Sequence, residues 1–138
     1  MILLDTHIWV WLVSDPQHLR PRRRELLDEY ATNGWGVSVI SCWEVAKLVE
    51  KGRLELQQPV GEWIAAALRR PHVTLLSLTP EIAVNATQLP TGFHADPADQ
   101  LFVATARILE IPLLTADAKI LNYSHVSLVV RQSHLVRF

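Results

Sequence analysis

The stretch Ile2-Leu3-Leu4-Asp5-Thr6-His7-Ile8-Trp9 decides how this chain is read. Ile2 to Leu4 form an apolar run too short for a helix, and it fits a strand buried on both faces. Asp5 or Thr6 then caps a helix carrying Ile8, Trp9, Trp11, Leu12 and Val13, which Ser14, Asp15 and Pro16 end. The same alternation recurs downstream. Val37 to Ile40 form a second apolar run, and Ser41 opens a helix that Gly52 stops after about Lys51. Val73 to Leu76 precede the helix start Thr79-Pro80, whose helix runs to Leu89. Pro112 to Leu114 are a strand, with Val126 to Val130 expected as the last one. Further helices are expected over Pro21 to Thr32, Val60 to Arg70, and from Asp96-Pro97 through Leu109. Strands alternating with helices imply a single α/β domain, residues 1–138, with a central parallel sheet flanked by helices.

Acids recur at the strand exits and helix starts of this pattern. They are Asp5 after the first strand, Glu44 in Ser41-Cys42-Trp43-Glu44, Asp96 and Asp99 in Asp96-Pro97-Ala98-Asp99, and Asp117 after Leu113-Leu114-Thr115-Ala116. In a parallel α/β fold these positions share the sheet edge where ligands bind. Carboxylates gathered there repel one another unless a positive charge sits between them, and an oxygen-rich set suits a hard divalent cation such as magnesium. Each acid also has a structural reading. Asp5 caps a helix, and Glu44 completes a capping box by reaching back to the Ser41 amide. Asp96 caps the helix that Pro97 begins, and Asp99 is a first-turn acid favoured by the helix dipole. Asp117 is an ordinary turn residue. None of these readings explains why so many such positions carry acids in one small domain.

At 138 residues the chain is long enough for a real core. Its 49% hydrophobic content and five tryptophans exceed what one small core needs, so a dimer or partner surface is expected around Trp9, Trp11 and the arginine run. The net charge of −1 gives no global signal for nucleic acid. Affinity for a polyanion would have to come from local patches such as Arg20, Arg22, Arg23 and Arg24, which sit unfavourably at a helix N-terminus. Cys42 is the only cysteine, which fits a reducing cytoplasm. No segment reads as a membrane span, and the N-terminus lacks the basic start of a signal peptide. The six histidines show no paired zinc spacing, with His7 and His94 read as bystanders, and no phosphate-binding glycine loop or nucleophile elbow is present.

Together the motifs resemble those of the PIN-domain nucleases, and more narrowly the VapC toxins of bacterial toxin–antitoxin pairs. The resemblance runs from Leu3-Leu4-Asp5-Thr6-His7 to Leu113-Leu114-Thr115-Ala116-Asp117, with Asp96 to Ala106 as its most specific part. It implies an acidic pocket of Asp5, Glu44, Asp99 and Asp117, with Thr115 as a hydroxyl at its edge and Asp96 beside it. Asp5 and Asp99 would be direct metal ligands. Glu44 and Asp117 would bind metal through water or hold a second ion, and Thr115 would orient a bound water. The resemblance further implies a magnesium- or manganese-dependent endoribonuclease, homodimeric, acting on RNA and restrained by a cognate antitoxin. One departure is Gln100, where the subfamily commonly carries arginine. Three other classes stay open from the residues: a non-catalytic RNA-binding module with a degenerate pocket, a phosphoacceptor receiver and an aspartyl phosphatase. A receiver wants paired acids at its first strand end, where Leu3 and Leu4 stand. A phosphatase wants a second Asp two residues after Asp5, where His7 stands.

Overall fold

A computed structural model describes residues 1–93 and 96–129. Strand β1 (Ile2–Leu4) leads to helices α1 (Thr6–Ser14) and α2 (Pro21–Tyr30), and β2 (Trp35–Ser38) leads to α3 (Val39–Glu50) and α4 (Val60–Leu68). Strand β3 (Val73–Leu76) leads to α5 (Pro80–Asn85) and α6 (Pro97–Leu109), and β4 (Leu113–Leu114) to α7 (Ala118–Leu121). The strands form one parallel sheet in the order β3-β2-β1-β4. The chain moves outward from β1 to β3 and then returns to the opposite side of β1 to lay down β4. The strand order therefore reverses between β1 and β4, the place where open α/β sheets bind ligands.

Apolar side chains from β1 serve both faces of the sheet. Ile2 and Leu4 pack with Ile8 and Trp9 of α1, Leu26 and Leu27 of α2, Val45 of α3 and Trp63 of α4. Leu3 packs on the other side with Phe102 and Val103 of α6 and Ile120 of α7. All three β1 residues are fully buried, as a strand covered by helices on both faces requires. The helices return against the strand direction, so α1, α3, α6 and α7 start at the edge where the strands end.

Several boundaries differ from the sequence reading. Helix α3 begins at Val39 and not at Ser41, because the hydroxyl of Ser38 accepts from the Ile40 amide and caps it there. Helix α5 stops at Asn85, well short of Leu89, where the amides of Thr87 and Gln88 turn to the carbonyls three residues back, Val84 and Asn85, and the Thr87 hydroxyl adds a bond to Val84. The expected final strand reduces to one parallel bridge between Leu113 and Leu128, with Val130 outside the described residues. The short α7, which Asp117 caps, was not foreseen.

Of the Trp9–Trp11 surface expected for a partner, Trp9 is fully buried and packs edge-on against Trp63. Trp11 is half-buried and stacks on His18. The exposed tryptophan is Trp43. The arginine run is partly turned inward. Arg24 donates to the Pro16 carbonyl, Arg22 pairs with Glu25 at 3.4 Å, and burial beside Arg20 lowers the pKa of Arg23.

Strand β4 is only two residues long, yet Leu114 is fully buried and its register places Thr115 beside Asp5. Leu114→Ala is expected to lower unfolding free energy by about 2–5 kcal/mol in urea titrations. A cost below about 1 kcal/mol would show that β4 is not anchored by this side chain.

Candidate active site

The reversal point is tied together by side chains. Leu4 pairs with Leu114, and the Asp5 amide donates to the Leu114 carbonyl at 3.0 Å. One residue further, Thr115 Oγ1 donates to Asp5 Oδ2 at 2.5 Å, while the Thr6 amide donates to Asp5 Oδ1 at 2.7 Å. Asp5 is only 6% exposed, so both bonds hold a nearly buried carboxylate in one orientation. Thr115 Oγ1 also accepts from the Asp117 amide at 3.0 Å. Its one proton is thus committed to Asp5, and its placement there positions that carboxylate.

The second acid is held by a relay that the sequence reading missed. Glu44 Oε1 accepts from Thr6 Oγ1 at 2.5 Å, and Thr6 Oγ1 lies 3.0 Å from the Ser41 hydroxyl. Because Thr6 gives its proton to the carboxylate, Ser41 donates to Thr6. The expected capping box, with Glu44 reaching back to the Ser41 amide, is therefore not formed. The early start of α3 puts Ser41 inside the helix and buries it, and Glu44 crosses to α1 instead. The available signal was Thr6, adjacent to Asp5, and the i, i+3 spacing of Ser41 and Glu44 on one helix face.

The remaining acids start helices. Asp96 Oδ1 accepts from the Asp99 amide at 3.1 Å and caps α6, with Pro97 first in the helix. Asp117 caps α7 through the amides of Lys119 and Ile120. Capping and clustering are thus not alternatives here. The positive ends of α1, α6 and α7 face the same region and offset part of its negative charge.

The acids lie near enough to feel one another's charge. Burial raises the pKa of Asp99 from 3.8 to about 7, reinforced by Asp96, Asp117, Asp5 and Glu44. Burial also raises Asp5, opposed by its bonds to Thr115 and Thr6, and raises Glu44, opposed by Thr6. His7, read from sequence as a bystander, is close enough for its charge to act favourably on Asp5 and Glu44. His94 lies outside the described residues. Gln100 donates from Nε2 to the Phe93 carbonyl at 3.3 Å, so it ties Phe93 to α6.

Among the described residues, no Lys or Arg forms an ion pair with Asp5, Glu44, Asp96, Asp99 or Asp117. The donor set is carboxylate oxygen, crowded and short of positive charge, and in charge and chemistry it fits a hard divalent cation. Among the same residues, no three acids, histidines or cysteines stand as a ready-made ligand group. Glu44 is turned toward Thr6.

Residues 2–126 match the PIN domain family. Ribonuclease VapC22 of Mycobacterium tuberculosis is 33% identical over 124 residues, spanning 90% of this chain and 92% of that protein. The VapBC2 structure from Rickettsia felis, bound to a DNA fragment from its promoter, is similar with a TM-score of 0.69 at 19% identity. It spans 93% of this chain and 97% of that one. FitAcB from Neisseria gonorrhoeae has a TM-score of 0.62 at 24% identity, spanning 93% of this chain and 96% of that one.

The raised acids predict a pH dependence of stability without metal. Between the ordinary 3.8 and about 7, folded Asp99 keeps a proton that the unfolded chain has lost. Stability therefore falls as pH rises through that window, and raised Asp5 and Glu44 add the same sign. In EDTA the melting temperature is expected to fall from pH 5 to pH 8, with a shallower fall in Asp99→Asn. An equal slope in both proteins would contradict this placement of Asp99.

Proposed function

The chain belongs to the PIN-domain family, and from that membership we propose that it is a divalent-cation-dependent endoribonuclease acting as the toxin of a toxin–antitoxin pair. The observation that carries the reading is that hydrogen bonds fix Asp5 and Glu44 at the point where the strand order reverses, where the charges of Asp96, Asp117, Asp5 and Glu44 all act on Asp99 and no basic partner stands among the described residues. The identity to a ribonuclease supports RNA as the substrate. The likeness in fold to VapBC2 and to a Klebsiella pneumoniae toxin–antitoxin complex supports an antitoxin partner. We take residues 1–138 as one nuclease domain that works in the cytoplasm as a homodimer. No helix among the described residues is long and apolar enough to cross a membrane.

In this reading Asp5 and Asp99 would hold the ion directly, and Glu44 and Asp117 would bind it through water or hold a second ion. Bound magnesium or manganese supplies a Lewis acid for the phosphodiester and lowers the pKa of water. The residues do the rest. Thr115 and the Thr6 amide fix the orientation of the Asp5 carboxylate. Thr6 and Ser41 do the same for Glu44. Glu44, held at the site by Thr6, would accept the proton that an attacking water gives up. With water as nucleophile, in-line attack expels the 3′-oxygen and leaves a 5′-phosphate and a 3′-hydroxyl.

Two substitutions on one helix separate catalysis from capping. Asp99→Asn keeps size and polarity but removes the charge a hard cation needs. It is expected to abolish RNA cleavage while leaving the melting temperature at pH 5 nearly unchanged. Asp96→Asn should retain measurable cleavage, because Asn caps about as well as Asp. EDTA should abolish the wild-type reaction, and magnesium or manganese should restore it. Full cleavage in EDTA would overturn the metal mechanism. RNA binding without cleavage under any cation would favour the non-catalytic module.

A further inference from the structure

Beside the acids, a groove of about 370 Å³ runs between α3 and the start of α6. Glu44, Asp96, Pro97 and Ala98 form its acidic end. Trp43, Lys47, Lys51 and Arg53 supply its aromatic and cationic surface. Resting on the ribonuclease reading above, we propose that this groove grips single-stranded RNA next to the scissile phosphate, with Trp43 as the stacking platform for one base and Lys51 and Arg53 as phosphate-binding cations.

Trp43 is 55% exposed, although it adjoins the buried Ser41 and the site acid Glu44. A large aromatic left open beside a catalytic carboxylate fits a base, because every base offers a π-face. Residues 43, 47 and 51 recur every four positions on one side of α3, over about 12 Å at 1.5 Å per residue. Lys47 is engaged with Glu50 at 2.7 Å. Lys51 and Arg53 form no ion pair among the described residues.

The helix dipole accounts for Lys47 and Lys51 near the C-terminus of α3, but not for Arg53 beyond it. Arg53 reaches the groove because the chain reverses at Gly52, whose φ of +70° is costly for other residues. The Arg53 amide donates to the Leu48 carbonyl at 2.9 Å and the Gly52 amide to Val49 at 3.0 Å, a Schellman closure that folds the chain back over the helix end. Cations at one end and carboxylates at the other suit a polyanion whose reacting phosphate lies at the acids and whose neighbours lie along the lysines. An acidic peptide would meet the same cations but not use the acids.

The test uses the full chain and a fluorescein-labelled twelve-nucleotide single-stranded RNA of mixed sequence. Anisotropy is read in EDTA, where the proposed reaction is silent. Trp43→Ala should weaken binding about tenfold or more, and Trp43→Phe should stay within about threefold of wild type. Lys51→Gln with Arg53→Gln should reduce the salt slope of log affinity by roughly 1.4, about 0.7 for each phosphate no longer neutralised. In magnesium, Trp43→Ala should raise KM more than it lowers kcat, with its melting temperature unchanged. If wild type cuts RNA in magnesium but none of these variants changes affinity, salt slope or KM, the groove proposal is overturned and the ribonuclease reading stands. If wild type neither binds nor cuts RNA, both are overturned. Loss of binding to the adjacent gene's antitoxin in Trp43→Ala, with RNA affinity intact, would reassign the groove to a protein partner.

Discussion

The bond from the Thr115 hydroxyl to Asp5 Oδ2 spans the place where the sheet changes direction. It joins the exit of the first strand to the exit of the last, and the site is built around it. Strand β4 carries only two residues in register with β1, so the position of Thr115 depends on the burial of Leu113 and Leu114. The apolar core thereby sets the orientation of a carboxylate at the surface edge. Because Thr115 also accepts from the Asp117 amide, the same hydroxyl couples the start of α7 to Asp5.

Two opposing effects act on the acids. Burial and mutual repulsion favour protonation, most of all at Asp99. Helix N-termini and hydroxyl donors favour charge, at Asp5 through Thr6 and Thr115 and at Glu44 through Thr6. The fixed dipoles do not offset burial and repulsion together, since Asp5, Glu44 and Asp99 remain raised, with burial the larger cause in each. A divalent cation is the simplest agent that would, and its binding would release the protons these groups retain. Holding oxygens in place without satisfying their charge stores affinity for such an ion.

Much of this arrangement was legible in the sequence for local reasons. Ile2 to Leu4 read as a buried strand because nothing polar interrupts them. Asp96-Pro97 read as a helix start because proline is already set for the first helical position. The strand-exit rule puts Asp5, Glu44, Asp99 and Asp117 on one edge of the sheet, and their charges do act on one another there. What escaped the sequence was long-range. The Thr6–Glu44 and Thr115–Asp5 bonds join residues 38 and 110 positions apart. The local capping box at Ser41 was the more obvious reading of Glu44, but Ser38 capped the helix first. The sequence reading places the open tryptophan at Trp9 or Trp11, yet the core takes Trp9 and leaves Trp43 beside the acids.

The central claim is that these carboxylates form a site for a hard divalent cation. Isothermal titration of manganese into the protein near pH 6.5, repeated in two buffers of different protonation heat, tests it most directly. The account predicts saturable binding with net proton release, lost in both Asp5→Asn and Asp99→Asn. The absence of saturable binding, or binding that both substitutions leave unchanged, would contradict it.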